Sequence, residues 1–137
     1  MKLAHQIAIA LLVLTAVTSI YGAYHFITDP SGHSLGYSIQ EIKGTPFKNY
    51  LIPGWLLLIF MGIGSVIACE LTMEREKKYT HYIMIQGVIC VTWVIVQIIM
   101  IQQFSGLQIA FLVIGIALSL IGRMIKDQDH RYRRVAL

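Results

Sequence analysis

The stretch YLIPGWLLLIFMGIGSVIACELTM, residues 50–73, decides the fold. It contains no lysine, arginine or aspartate and a single carboxylate, Glu70, near its far end. A helix rises about 1.5 Å per residue, so about 20 apolar residues cover the ~30 Å hydrocarbon layer of a bilayer. This run meets that length. Working outward, residues 3–27, 80–101 and 106–125 meet it as well. The pattern predicts an all-α integral membrane four-helix bundle in a single domain, with an ordered outer loop over residues 28–49 and a cytoplasmic tail over 126–137.

Composition points the same way. Hydrophobic residues make up 56% of the 137 and charged residues 13%. An ordinary soluble domain carries about 25% charged residues. The mean hydropathy is +0.67. The net charge of +4 does not point to nucleic acid, because the cations sit at segment ends and form no basic stripe with interleaved aromatics. The partner they imply is the lipid bilayer. Cys69 and Cys90 both fall inside apolar runs and form no Cys-x-x-Cys pair, so neither a disulfide framework nor a zinc site is indicated.

The first segment begins with Lys2 and has an apolar run. That run is too long for the core of a signal peptide, and Tyr21-Gly22-Ala23 places a bulky residue where a cleavage site wants a small one. It reads as a retained helix. Orientation follows from the cations. Nine of the eleven Lys and Arg residues fall on one side: Lys2, the Arg75–Lys78 turn, and Arg123 onward. Only Lys43 and Lys48 fall on the other. The positive-inside rule then places both termini in the cytoplasm of a multi-pass inner-membrane protein, with the loop outside. So strong a bias argues against a dual-topology antiparallel dimer. The short EREKKY and QQFSG connections make the last three helices antiparallel neighbours. No internal repeat indicates an inverted-repeat transporter.

The outer loop opens on the turn signals Asp29-Pro30 and Ser31-Gly32. Thr45-Pro46 favours extended backbone, and Pro53 fits the first turn of the second helix, where its missing N–H costs nothing. Phe47, Tyr50 and Trp55 lie where an aromatic belt belongs. Two readings stand for this loop. One is an anchor and helix start. The other is an ordered cap over the outer mouth of the bundle, which predicts that Phe47 and Leu51 bury against the third and fourth helices.

Polar groups inside a span need partners, so they are the best functional pointers. Gln86, Cys90, Trp93 and Gln97 are spaced by four, three and four on the third helix and share one face. Ile89, Val96 and Met100 make the opposite, apolar face. The polar face is expected to point inward, either as interhelical glue or as the lining of a polar path with Trp93 as a wall. Gln108, early in the fourth helix, lies within reach of Gln97 or the loop. Glu70 reads as snorkelling or pairing with Lys77, Lys78 or Arg123; a proton-coupling carboxylate is the alternative. Small residues recur on the other helices: Thr15, Ser19 and Ala23; Gly62, Ser65 and Cys69; Gly115, Ser119 and Gly122. They are packing faces within the chain or toward a homo-oligomer or a membrane-protein partner.

The five histidines lack haem-ligand spacing, although His5 with His81 or His25 with His33 share a side. No catalytic signature occurs, and no cofactor or metal ligand set is indicated. The function classes that remain are a non-enzymatic binding or assembly module, a small channel or carrier using the third helix, and, third, a membrane enzyme or redox subunit.

The run Thr45-Pro46-Phe47 followed by Tyr50-Leu51-Ile52-Pro53-Gly54 resembles the loop-to-helix pattern of small uncharacterised four-helix bacterial inner-membrane proteins. The Gln97 and Leu107-Gln108 neighbourhoods are compatible with it. The resemblance implies a four-span fold over most of the chain and carries no chemistry with it.

Overall fold

The computed structural model describes residues 2–33, 46, 48–101 and 106–136. These form four helices and, among the described residues, no strand. They are α1 (Lys2–Thr28), α2 (Leu51–Met73), α3 (Tyr79–Ile101) and α4 (Gly106–Ala136). All four are long and apolar enough to cross a membrane. The last helix does not stop at residue 125. It continues through the charged stretch to Ala136, so most of the expected tail is helix.

Local chemistry explains where the helices end. After Thr28 the chain turns at Asp29-Pro30. The Gly32 N–H bonds the Asp29 carbonyl at 3.0 Å, and Gly32 has φ 79°, a conformation open to glycine. The far end of α2 closes with a Schellman motif. Glu76 N–H donates to the Leu71 carbonyl at 3.1 Å, and Arg75 N–H donates to the Thr72 carbonyl at 3.2 Å. Arg75 sits at the left-handed position of that motif with φ 53°, where glycine is usual, and Lys78 follows at φ 65°.

The helices associate as two close pairs, α1 with α2 and α3 with α4, which pack together through α2 against α3 and α1 against α4. Small residues make the close approaches. A Cβ built on Gly87 of α3 would stand 2.6 Å from the Gly115 carbonyl oxygen and 2.5 Å from Ser119 Oγ on α4. A Cβ on Gly54 of α2 would stand 2.7 Å from Phe26 Cβ of α1. Two apolar clusters fill the interior. One joins Ala8, Leu12, Ala68, Ile83 and Leu118; the other joins Ala23, Leu57, Met61 and Cys90.

Thr15, Ser19, Ala23, Gly62, Ser65, Cys69, Gly115 and Gly122 are all buried in this single chain. The small-residue faces, which the sequence leaves open between self-association and internal packing, are therefore occupied internally. What remains outside is broad and apolar: Val17 is 61% exposed, Ile99 67% and Val113 59%.

Candidate functional site

The most ordered polar arrangement of the interior is built on α2. Its middle, Leu57–Ile63, is a π-helix, with ordinary α-helix on either side. The Gly64 N–H reaches back five residues to the Ile59 carbonyl. In an α-helix it would reach four residues, to Phe60. The Phe60 carbonyl instead receives the side chain of Gln86 from α3, with Nε2 donating at 3.1 Å. The same nitrogen donates to Ser65 Oγ at 2.9 Å. Gln86 is 2% exposed and Ser65 fully buried. A side chain inserted into the backbone ladder is a recognised cause of such local widening. Gly64 makes room for it, because a Cβ there would lie 2.7 Å from Gln86 Oε1.

Ser19 of α1 borders this region. It precedes Ile20, whose Cγ1 would meet a Cβ on Gly62 at 3.0 Å. Its hydroxyl is buried and has no hydrogen-bond partner among the described residues. Thr15, one turn before it, donates to the Leu11 carbonyl of its own helix at 2.8 Å. On α4, Ser119 Oγ donates to the Gly115 carbonyl at 2.9 Å.

The expected inward face of α3 is rotated. Ile83, Gln86, Gly87, Cys90 and Val94 are buried, while Trp93 and Gln97 are half-buried on its edge. Trp93 packs against the cluster of Ala23, Leu57, Met61 and Cys90, and so does Ile89, which had been expected on the opposite face. The cause is the contact of Gly87 with Gly115 and Ser119, which draws the Gly87 side of α3 onto α4. Gln108 is half-buried in the first turn of α4. Gln86, Trp93, Gln97 and Gln108 do not converge on one described cavity.

The described part of the outer connection docks on the end of α1. The Tyr50 ring is buried and stacks on Phe26, with centroids 4.9 Å apart and planes 11° apart. Its N–H donates to the Pro30 carbonyl at 2.8 Å. Asn49 Oδ1 accepts the Leu51 N–H at 3.0 Å, relieving one of the free donors at the start of α2. Trp55 is 48% exposed. Phe47 lies outside the described residues. Leu51 is 37% exposed and is not buried against α3 and α4 as a cap would require.

Glu70 lies at one end of a surface groove between α1 and α2, about 440 Å³ in volume and walled by Val13, Val17, Ile20 and Val66. It is exposed, and among the described residues it forms no ion pair with Lys77, Lys78 or Arg123. His5 is buried. Its Nε2 donates to the Thr72 carbonyl at 2.7 Å, and the ring sits edge-on to Tyr79. That nitrogen is committed to α2. His25 packs edge-on to Tyr21 and Tyr24. No group of three or more metal-binding side chains occurs among the described residues.

No protein-family model, curated protein or solved structure matches this chain.

Two features of the site escape a reading of the sequence. The π-helix carries no local signal beyond the nearby Gly62 and Gly64. The His5–Thr72 bond joins residues at opposite ends of two spans, and only the antiparallel pairing of α1 with α2 brings them together.

Proposed function

We propose that the chain is a multi-pass integral protein of the cell inner membrane, with both termini cytoplasmic, that works as a non-enzymatic binding or assembly module. Support for the membrane comes from four helices of spanning length whose outward faces are apolar. The orientation rests on the cation bias. The observation that carries the module reading is Gln86. It is the residue best placed to line a polar path, and its amide is instead held by the Phe60 carbonyl and Ser65. The interior is then a framework, and recognition falls to the outward faces.

Cys90 provides the test. It lies one turn from Gln86 on the same face and is fully buried. In a Cys69→Ala background it is the only thiol. A membrane-impermeant methanethiosulfonate reagent, applied to sealed and opened proteoliposomes, leaves Cys90 unmodified until the protein is denatured. A Thr28→Cys control at the exposed end of α1 labels readily. Cys90 labelling in the native protein at the rate of that control would mean a hydrated interior and would favour the carrier reading.

A further inference from the structure

Three of the four helices reach a common level on the side that carries most of the cations. His5, near the start of α1, bonds the Thr72 carbonyl in the last turn of α2, and its ring meets Tyr79, the first residue of α3. The fourth helix is level with them at Gly122, where a Cβ would stand 3.1 Å from the Thr80 carbonyl oxygen. It does not end there. Ile125 is buried, Asp127 and Gln128 are exposed, and the helix runs on to Ala136. From Ile125 to Ala136 it outruns its neighbours by about 16 Å at the helical rise. In the membrane reading above, the headgroup layer is only about 5–8 Å deep on each side, so the outer half of this overhang stands clear of lipid.

Charge explains both why the overhang is helical and what it can meet. Residues 123–134 contain five Lys and Arg and two Asp. Asp127 and Asp129 each stand four residues before an arginine, Arg131 and Arg133, the order in which such pairs favour a helix. Arginines in the last turns also complement the helix dipole. Arg123, Lys126, His130 and Arg134 recur at intervals of three, four and four, so register places them on one side of the helix. A row of cations at helical spacing, carried into water by a span, is complementary to carboxylates at the same spacing. No Tyr, Phe or Trp lies in that row to stack a nucleic-acid base. We propose that the overhang docks an acidic helical segment of a second protein, with carboxylates one turn apart along Lys126, His130 and Arg134. The inference rests on the module reading above and names the chemistry of the partner.

The test uses the full chain in phosphatidylcholine nanodiscs and a fluorescein-labelled, alanine-based helical peptide with one glutamate per turn, its glutamine counterpart serving as control. Fluorescence anisotropy at low salt should show binding of the glutamate peptide and not of the glutamine one. In Lys126→Gln/Arg134→Gln the affinity should fall about fivefold, the scale of two exposed ion pairs. Arg75→Gln/Lys77→Gln removes the same charge from the α2–α3 turn and should leave it unchanged. Gln128→Pro breaks the overhang with every cation in place and should abolish binding. Circular dichroism checks that the spans of each variant stay folded. Hydrogen exchange over residues 126–136 should slow with the glutamate peptide and not on changing the lipid to phosphatidylglycerol. Equal losses from the turn and the overhang, binding retained in Gln128→Pro, protection by the anionic lipid alone, or tighter binding of poly(U) than of the peptide overturns the proposal. Labelling of Cys90 in the native protein defeats the module reading itself, and that result is separate from these.

Discussion

Gly64→Ala and Gln86→Ala probe the same arrangement from opposite sides, and their combination tests whether Gln86 holds the π-helix. The methyl of Gly64→Ala would lie 2.7 Å from Gln86 Oε1, so the amide must move from its place between the Phe60 carbonyl and Ser65. Interhelical hydrogen bonds inside membranes are worth about 0.6–1.7 kcal/mol each. Losing both costs about 1–3 kcal/mol. Gln86→Ala loses the same two bonds and leaves a void in a packed interior, a further 1–2 kcal/mol by the scale of core truncations. In the double variant the clash has no object, and the Gly64→Ala methyl points into the void left by the amide. The double variant should therefore be more stable than the sum of the two losses by about 1–2 kcal/mol, a coupling well above the ~0.5 kcal/mol scatter of independent sites. The assay is reversible unfolding in mixed micelles, titrated with sodium dodecyl sulfate and followed by circular dichroism. Additive losses would mean that Gln86 and Gly64 do not share a site and that the π-helix stands for another reason.

Two further predictions concern backbone geometry. Arg75→Gly removes a side chain from a left-handed residue at φ 53° and should stabilise the chain by about 1 kcal/mol in the same unfolding assay, since the cost of that conformation exceeds the added freedom of glycine. Gly87→Ala drives a methyl into the Gly115 carbonyl, which is backbone and cannot turn aside, and should cost about 1–3 kcal/mol or more as α3 and α4 part; Gly106→Ala, whose Cβ would meet nothing within 4 Å, should cost nothing measurable.

Span number was legible because it depends on length and polarity alone. Residues 50–73 contain one carboxylate and no cation, and nothing in their partners changes what that implies. Rotation about the helix axis was less legible. The α3 helix is apolar nearly all round, so periodicity constrains its inward face weakly. Gln86 and Cys90 announce that face, yet its far end turns on Val94 rather than Gln97, because the closest approach of α3 is to α4 at Gly87. That approach depends on Gly115 and Ser119, far along the chain from Gly87. The burial of His5 was not legible for a related reason: α1 starts beside the last turn of α2, where the Thr72 carbonyl holds the ring. The π-helix was not legible at all, since its cause is a side chain from another helix.

Apart from the buried Ser19 hydroxyl, which has no partner among the described residues, most hydrogen-bonded polar side chains of the interior share a habit. Gln86 donates to the Phe60 carbonyl, His5 to Thr72, Thr72 to Ala68, Thr15 to Leu11 and Ser119 to Gly115. Each ends on a backbone carbonyl of its own or a neighbouring helix. In a medium without water this is what a donor must do, and it leaves such a group nothing to offer a ligand. Glu70 breaks the habit. It has no donor aimed at it among the described residues, and it stands open at the end of an apolar groove one turn before α2 ends. A carboxylate is costly at the bilayer centre and inexpensive near the headgroups, so its depth makes an unpaired charge tolerable. Lys77 and Lys78 lie only seven and eight residues further on, yet the left-handed turn at Arg75 carries the chain toward α3 before either one pairs with it. The same turn that ends α2 therefore leaves Glu70 without an ion pair among the described residues.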